Sequence, residues 1–208
     1  MKIAMITLLA IQSDKVIRLV MLLALQMAWI SPSPAQTVVE NTTLTDVAVK
    51  RGVSFSDFQS KKAIVPVFFC NGCPYSTIYI GRLKKMVATY QDVQFLLINA
   101  SPYKFNPEES IENMAKFALD YQLNMPYLED KEQVALKLLN ALKCPEAFIL
   151  VPDGSIYKVV YHGAIDDNPQ VVNDVKEYYL KAALDQVLSD NVPAEAYVRP
   201  AGCVIKKK

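Results

Sequence analysis

Short apolar runs alternate with segments of helical periodicity along this chain. The runs Ile64–Phe69 and Val93–Ile98 are continuous, which predicts strands buried on both faces of a sheet. Segments with apolar residues at helical spacing lie at 74–90, 108–121, 131–142 and 172–188. Strands separated by helices indicate βαβ units with a parallel core, so we expect an α/β fold.

A second pattern adds antiparallel strands to that core. Ala147–Val151 and Ile156–Tyr161 are short apolar stretches on either side of the turn residues Pro152–Gly154. An Asp-Gly pair between two such stretches is typical of a β-hairpin. The sheet is therefore expected to be mixed, and the sequence shows neither an internal repeat nor a second folded domain.

The charge balance argues against a nucleic-acid partner. The 22 Lys and Arg residues are nearly matched by 21 Asp and Glu residues, for a formal net charge of +1. That balance leaves no basic face for a phosphate backbone. Apolar residues make up 52% of the 208 residues, which excludes a disordered chain and suffices for one domain with a hydrophobic core.

The first 35 residues have the order of a secretory signal peptide. Lys15 and Arg18 precede the apolar run Leu19–Ile30, and the small residues Ser33 and Ala35 then form a cleavage pattern. The alternative is an uncleaved N-terminal anchor, which is the one case in which we expect membrane contact. Either way the body is expected to be exported, to the periplasm or the extracellular space, where paired cysteines persist.

The clearest chemistry is carried by Cys70 and Cys73, in the sequence Cys-Asn-Gly-Cys. They lie where a buried strand ends and a helix begins, and the N–H groups and dipole of a helix N-terminus stabilise a thiolate. We therefore predict that Cys70 is the attacking thiol and that Cys73 resolves the mixed disulfide. A zinc half-site and an inert structural disulfide are the alternatives, although a zinc site needs about four ligands.

The segment Phe68–Tyr75 resembles the active-site segment of thioredoxin-like, thiol-disulfide-isomerase-type proteins of the redoxin (AhpC–TSA) group. Further similar segments follow in the same order at Glu112–Met114, Pro126–Asp130, Cys144–Phe148, Gly163–Asn168 and Gly202–Lys206. The resemblance implies a thioredoxin-like fold over 53–190, with a central mixed sheet flanked by helices. A β-hairpin extension at 36–52 would precede this domain, and a tail at 191–208 would follow it.

The same resemblance implies an enzyme, a thiol–disulfide oxidoreductase that acts on protein thiols and disulfides with an unidentified redox partner. It implies no cofactor and no metal. In that fold a cis-proline loop faces the CxxC motif and binds extended substrate backbone, and the matching residue is Pro145. Cys144 stands where the group commonly has Thr, and Gly72 where it commonly has His. Cys144 is either a packed small side chain or a third redox or metal-binding thiol.

Cys203, between Gly202 and the basic end Lys206–Lys208, is a candidate accessory thiol. It would pair with Cys144, resolve disulfides or stay free. Four cysteines allow three connectivities. A Cys70–Cys73 bond leaves Cys144–Cys203 as the only complement.

Two other functions fit parts of the sequence. A peroxiredoxin-type peroxidase carries Pro-x-x-x-Thr-x-x-Cys, and residues 66–73 keep the Pro and Cys spacing but place Cys70 at the Thr position. A Sco-type copper chaperone uses two close cysteines and a distant His, here His162, but spaces its cysteines by three residues. His162 and the loop Asp166–Asn168 are weaker candidates for binding a metal ion, with a surface histidine and a capping turn as the ordinary interpretations.

Overall fold

The two continuous apolar runs become neighbouring parallel strands in the computed structural model, which describes residues 37–101, 104 and 106–208. The predicted signal peptide, residues 1–35, lies outside these residues. The strands are β1 (Val38–Glu40), β2 (Thr43–Asp46), β3 (Arg51–Ser54), β4 (Ala63–Phe68), β5 (Val93–Asn99), β6 (Tyr127–Glu129), β7 (Lys143–Cys144), β8 (Glu146–Asp153), β9 (Ile156–Gly163), β10 (Tyr197–Val198) and β11 (Cys203–Val204).

The helices occupy the predicted segments but are shorter than predicted in three of them. They are α1 (Pro74–Thr89), α2 (Ile111–Asp120), α3 (Val134–Leu139) and α4 (Tyr179–Leu188), with 3-10 turns at Phe55–Phe58, Pro107–Glu109 and Val172–Asp174. Over the described residues, the helices are all too short or too polar to cross a lipid bilayer.

One mixed sheet runs in the order β1-β9-β8-β4-β5-β6-β2-β3, with β10 beside β9. Strands β4, β5 and β6 are parallel, whereas β8 is antiparallel to both β4 and β9. β9 is also antiparallel to β1 but parallel to β10. β2 and β3 form the expected N-terminal hairpin. β7 and β11 pair separately as a two-stranded sheet.

Strand β4 is buried on both faces, as predicted. Val65 and Val67 point into a core shared with α1, α2 and α4, whereas Ile64 and Phe68 point into a second core that includes α3. Such double burial explains why the run has no polar alternation. Because β4 separates the two cores, the chain that follows its carboxyl end at Phe68 lies at the boundary between them.

Local capping accounts for the shortening of α2 and α3. Ser110 caps α2, since its side chain accepts a hydrogen bond from the Asn113 N–H, and the preceding acidic residues form a 3-10 turn instead. α3 begins late because the buried Asp130 carboxylate accepts hydrogen bonds from the N–H groups of Val134 and Leu136. It ends at Asn140, which has a left-handed backbone (φ 51°).

Candidate active site

Cys70 and Cys73 lie in the loop that joins β4 to α1. Cys73 is the N-cap residue of α1, and Pro74 is its first residue. The loop is closed by two hydrogen bonds, from the Cys73 N–H to the Cys70 carbonyl oxygen at 3.4 Å and from the Cys70 N–H to Ser76 Oγ at 3.4 Å. The predicted strand-to-helix junction is confirmed, and the positive end of the α1 dipole adjoins the motif.

The segment with Cys144 and Pro145 faces this loop. The Cys144–Pro145 peptide bond is cis, as the resemblance implies. The Cys144 carbonyl oxygen lies 3.1 Å from Cys73 Sγ. Behind the segment, the buried Glu146 carboxylate accepts hydrogen bonds from the N–H groups of Leu142 (2.8 Å) and Lys143 (3.0 Å). Cys144 therefore borders the CxxC motif directly.

The C-terminal tail brings the fourth cysteine into the site. β11 is antiparallel to β7, with Cys203 opposite Cys144 and Val204 opposite Lys143. A Cβ atom on Gly202 would collide with the Cys144 carbonyl oxygen. The close approach of the tail to the Cys144–Pro145 segment therefore requires glycine at position 202.

Hydrogen bonds made by three residues that follow Cys203 in the chain, Ile205, Lys206 and Lys208, hold the tail in place. The Ile205 N–H donates to the Leu142 carbonyl oxygen at 3.0 Å, and the Ile205 side chain is buried. Gln133, which is 1% exposed, donates through Nε2 to the Lys206 carbonyl oxygen at 2.7 Å and accepts from the Lys208 N–H at 2.8 Å. The sequence predicts a tail with Cys203 as a candidate accessory thiol, and the structure adds that the residues after Cys203 are packed and hydrogen-bonded beside the site.

Three of the four sulfur atoms form one cluster, and the fourth, Cys203 Sγ, lies outside this group but is bonded to Cys73 Sγ. The Sγ atoms of Cys70, Cys73 and Cys144 all lie within 4.8 Å of one another. Disulfides join Cys70 to Cys144 and Cys73 to Cys203, with Cα–Cα distances of 6.3 and 6.1 Å. The structure therefore does not contain the Cys70–Cys73 bond or its complement Cys144–Cys203; of the alternatives left open for Cys144 and Cys203, each is instead paired with a cysteine of the CxxC motif. The physical reason is the β7–β11 pair, which holds Cys144 and Cys203 opposite each other and brings their sulfurs to the two cysteines of the motif.

Glu109 is a site residue that sequence reasoning missed. Its carboxylate is 3% exposed and accepts hydrogen bonds from the N–H groups of Asn71 and Gly72, both at 2.9 Å. Asn99 Nδ2 donates to the same carboxylate at 2.6 Å. The acidic residues at 108–109 fall in the first turn of the predicted helix 108–121, and nothing in their spacing distinguishes Glu109 from its exposed neighbour.

Tyr127 completes this support of the CxxC loop. Its hydroxyl donates to Asn71 Oδ1 at 2.8 Å and accepts from Asn99 Nδ2 at 3.0 Å. Burial, reinforced by the Glu109 charge, holds the pKa of Tyr127 well above its ordinary value. The phenol therefore stays protonated, and it remains a donor to the loop at physiological pH.

A cleft of about 240 Å³ opens beside the sulfurs. Cys70, Cys73 and Cys203 line it, together with Glu109 and Lys206. Cys203 is partly exposed, whereas the other three cysteines are at most 5% exposed. The cleft gives an incoming thiol or disulfide access to the cluster from the tail side.

The weaker metal candidates do not join the cluster. Among the described residues, His162 lies outside the sulfur group, with its ring stacked on Phe148 and against Tyr197. The Asp166 carboxylate is engaged by Arg82 Nη1 at 2.6 Å and by the hydroxyl of Tyr79 at 2.7 Å. Asp166 therefore forms a buried ion pair that ties α1 to the loop after β9, rather than a cation site.

Comparisons with known proteins agree with this architecture. A hypothetical protein of Sinorhizobium meliloti has 27% sequence identity and a TM-score of 0.76, covering 86% of this chain and 97% of its own. An uncharacterized conserved protein of Geobacillus kaustophilus has 31% identity and a TM-score of 0.74, covering 84% and 93%. A thioredoxin-like protein of Aeropyrum pernix, at 16% identity and a TM-score of 0.51, covers 72% and 89% and shares the fold.

These likenesses confirm the thioredoxin-like fold expected from the sequence, a mixed sheet flanked by helices with added N-terminal strands. A search of curated protein sequences finds no match. The AhpC/TSA family model matches residues 35–159, which is more than half of the chain. The chain therefore belongs to the AhpC/TSA family.

Proposed function

We propose that the protein is an exported thiol–disulfide oxidoreductase that exchanges disulfides with protein substrates through Cys70 and Cys73. The observation that carries the proposal is the sulfur cluster, in which the Sγ atoms of Cys70, Cys73 and Cys144 lie within 4.8 Å of one another. At such distances a disulfide passes from one sulfur to the next with small side-chain movements, because exchange proceeds by attack of a thiolate on a neighbouring sulfur. Family membership supports the same chemistry.

In the reductive direction, the Cys70 thiolate attacks one sulfur of a substrate disulfide. A Cys70–substrate disulfide forms, and the other substrate sulfur leaves as a thiolate. The Cys73 thiolate then attacks Cys70 Sγ, which releases the second substrate thiolate and forms the Cys70–Cys73 disulfide. The substrate gains two electrons and the protein loses two. A thiol-containing redox partner reverses the last steps to restore the dithiol.

We propose that the disulfides in the structure are a stored, oxidised form, which is first rearranged to the Cys70–Cys73 disulfide and then reduced by the redox partner to the dithiol that starts the cycle. A partner thiolate attacks Cys203 Sγ, the exposed sulfur, and displaces the Cys73 thiolate. Cys73 attacks Cys70 and displaces the Cys144 thiolate, which in turn attacks Cys203 and releases the partner. The net result is an exchange of pairs, from Cys70–Cys144 and Cys73–Cys203 to Cys70–Cys73 and Cys144–Cys203, with no net gain or loss of electrons.

The tail also bears on how a substrate would bind. In the family that the sequence resembles, extended substrate backbone lies against the segment that carries Pro145. Here β11 already occupies the edge of β7 immediately before that proline. The backbone of β11 thus takes the position of extended substrate, and we expect a protein substrate to displace β11 when it reaches Cys70.

Exchange assays with insulin or a model peptide disulfide test the proposal. Cys70→Ser should abolish dithiol exchange, because the attacking sulfur is gone. Cys73→Ser should accumulate a mixed disulfide with substrate, because nothing resolves it. Full activity in the Cys70 variant would overturn the assignment. Consumption of peroxide faster than of a disulfide would favour the peroxidase alternative instead.

Export has a separate test. We expect the mature protein to be recovered outside the cytoplasm with its N-terminus following Ala35. Recovery in the cytoplasmic fraction with Met1 retained would contradict the export proposal without affecting the exchange chemistry.

A further inference from the structure

We infer that the reduced protein binds one Zn²⁺ ion through the four thiolates of Cys70, Cys73, Cys144 and Cys203. The inference rests on the placement of the sulfurs and does not require that the protein exchange disulfides with a substrate. It assigns to the cluster a second state, in which a thiophilic metal takes the place of the two disulfides.

The distances suit a tetrahedral thiolate site. With Zn–S bonds of about 2.3 Å, the sulfurs of a tetrahedral site lie about 3.8 Å apart. The Sγ atoms of Cys70, Cys73 and Cys144 already lie within 4.8 Å of one another. Side-chain rotations that move each sulfur atom by up to about 1 Å would therefore place three ligands around one ion.

Cys203 supplies the fourth ligand. Its sulfur is bonded to Cys73 Sγ in the oxidised protein, and its backbone lies opposite Cys144 in the β7–β11 pair. The hydrogen bonds of Ile205 and Gln133 hold β11 in place without the disulfide. Reduction would therefore free the sulfur while keeping it near Cys73, and binding of the ion would draw it toward the other two sulfurs.

The surroundings favour a soft cation with thiolate ligands. Cys73 and Cys144 are each 1% exposed, so bulk water does not compete for the ligand positions. A four-thiolate zinc site has a net charge of −2, which the positive end of the α1 dipole beside it would stabilise, and the basic residue Lys206 lines the same cleft. The oxygens of Glu109 are already engaged by backbone and side-chain N–H donors, which leaves sulfur as the ligand type.

The oxidation state decides which form exists. Oxidation by diamide converts four thiols into two disulfides with the loss of four electrons and four protons, and diamide is reduced to its hydrazine. A disulfide sulfur is not a thiolate ligand, so the oxidised protein should bind no Zn²⁺ at this site. Zinc and disulfides are therefore mutually exclusive.

Zinc titration of the full chain tests the inference. The protein is reduced with a phosphine, freed of metal and titrated with Zn²⁺ against a competing chelator; a diamide-oxidised sample is titrated in parallel. We expect one bound Zn²⁺ per reduced chain and none per oxidised chain. Alkylation of the wild-type protein followed by mass spectrometry should show that Zn²⁺ protects all four cysteines. Protection of only Cys70 and Cys73, or equal binding by both samples, would overturn the inference.

Variants then identify the ligands. Cys144→Ser and Cys203→Ser should each weaken Zn²⁺ affinity by at least about tenfold, since even changes behind a ligand cost that much. Val204→Ala is the matched control, because Val204 lies in the same strand but its side chain is 69% exposed. With Co²⁺ as a spectroscopic probe, the wild type should give the bands of a tetrahedral four-thiolate site. Unchanged affinity in both cysteine variants would exclude Cys144 and Cys203 as ligands.

Discussion

Glu109 positions the reactive loop through its buried carboxylate. Both oxygens accept backbone N–H groups of the CxxC motif, and a buried donor that loses its acceptor costs about 1–3 kcal/mol. Glu109→Gln replaces one acceptor oxygen by an NH₂ group, which would face an N–H donor. We expect a loss of about 1–3 kcal/mol in the free energy of unfolding, measured by denaturant titration, together with faster alkylation of reduced Cys70.

Glu108→Gln provides the control for that experiment. Glu108 belongs to the same 3-10 turn and is exposed. The free energy of unfolding of the Glu108→Gln variant should therefore stay within about 0.5 kcal/mol of the wild-type value. Equal effects of the two substitutions would show that the turn, and not the Glu109 carboxylate, supports the loop.

Gly72 is a position in the CxxC motif at which a charged side chain would lie next to the thiols. A Cβ atom at this position would meet the side-chain ends of Asn106 and Glu108 at 2.8 Å, and these are flexible groups that can move aside. Gly72→His should therefore fold, and its imidazolium would stabilise a neighbouring thiolate. Because a stabilised reduced form makes a more oxidising couple, we expect the reduction potential of the CxxC couple to rise.

The matched control for the charge is Gly72→Gln, which adds a side chain of similar reach with no charge. Potentials measured against glutathione should rise by about 30 mV for each 1.4 kcal/mol of thiolate stabilisation, more in the His variant than in the Gln variant and more at pH 6 than at pH 8. An identical shift in both variants would attribute the change to sterics.

Among the secondary-structure elements, the sequence best predicts the long strands and helices, whose pattern of apolar residues repeats over many positions. β4, β5 and α1 were predicted within one or two residues, because buried strands and amphipathic helices repeat their pattern over many residues. β6 and β11 contain three and two residues, too few for periodicity. The junction that carries Cys70 and Cys73 was therefore predictable, whereas the tail strand that completes the site was not.

Pairing of β11 with β7 requires a close backbone approach at Gly202. In Gly202→Ala the new methyl group would collide with the Cys144 carbonyl oxygen, and rotation of a side chain cannot relieve a clash with backbone. We expect the tail to detach locally, at a cost of about 1–2 kcal/mol. The exchange of the Ile205 amide hydrogen, which is bonded to Leu142, should then accelerate by about tenfold or more.

Ala201→Ser is the control for the tail, because residue 201 is exposed and lies outside β11. Its Ile205 amide should exchange at the wild-type rate. If the Gly202 variant protects Ile205 as well as the wild type does, the glycine is not required for the β7–β11 pair.

At the scale of the whole molecule, the disulfides connect distant parts of the chain. Cys70–Cys144 spans 74 residues, and Cys73–Cys203 spans 130 residues and attaches the C-terminal tail to the start of α1. The resemblance predicts that Cys144 faces the CxxC motif, but nothing in the spacing of Cys144 and Cys203 indicates that their backbones are neighbours. The connectivity follows from the tertiary fold and so required the structure.

These long links predict a large dependence of stability on redox state. By the loop-entropy estimate, a disulfide that closes a loop of this length contributes about 4–5 kcal/mol, whereas a bond between Cys70 and Cys73 would contribute only about 2 kcal/mol. Reduction of the protein should therefore lower the free energy of unfolding by well over 2 kcal/mol, as measured by denaturant titration with and without reductant. Because the two loops overlap, we expect less than the sum of the two contributions.

Cys203→Ser separates the two links. Its oxidised form should retain Cys70–Cys144 and lose only the part of the redox-dependent stability that the tail disulfide provides. Peptide mapping without reduction gives the connectivity directly, with peptides containing Cys70 and Cys144 recovered as one species. A reduction that costs only about 2 kcal/mol, together with recovery of a Cys70–Cys73 peptide from the wild type, would contradict the long-range pairs. The local bond would then be the stored form, and the tail would be held to β7 by its hydrogen bonds and Ile205 alone.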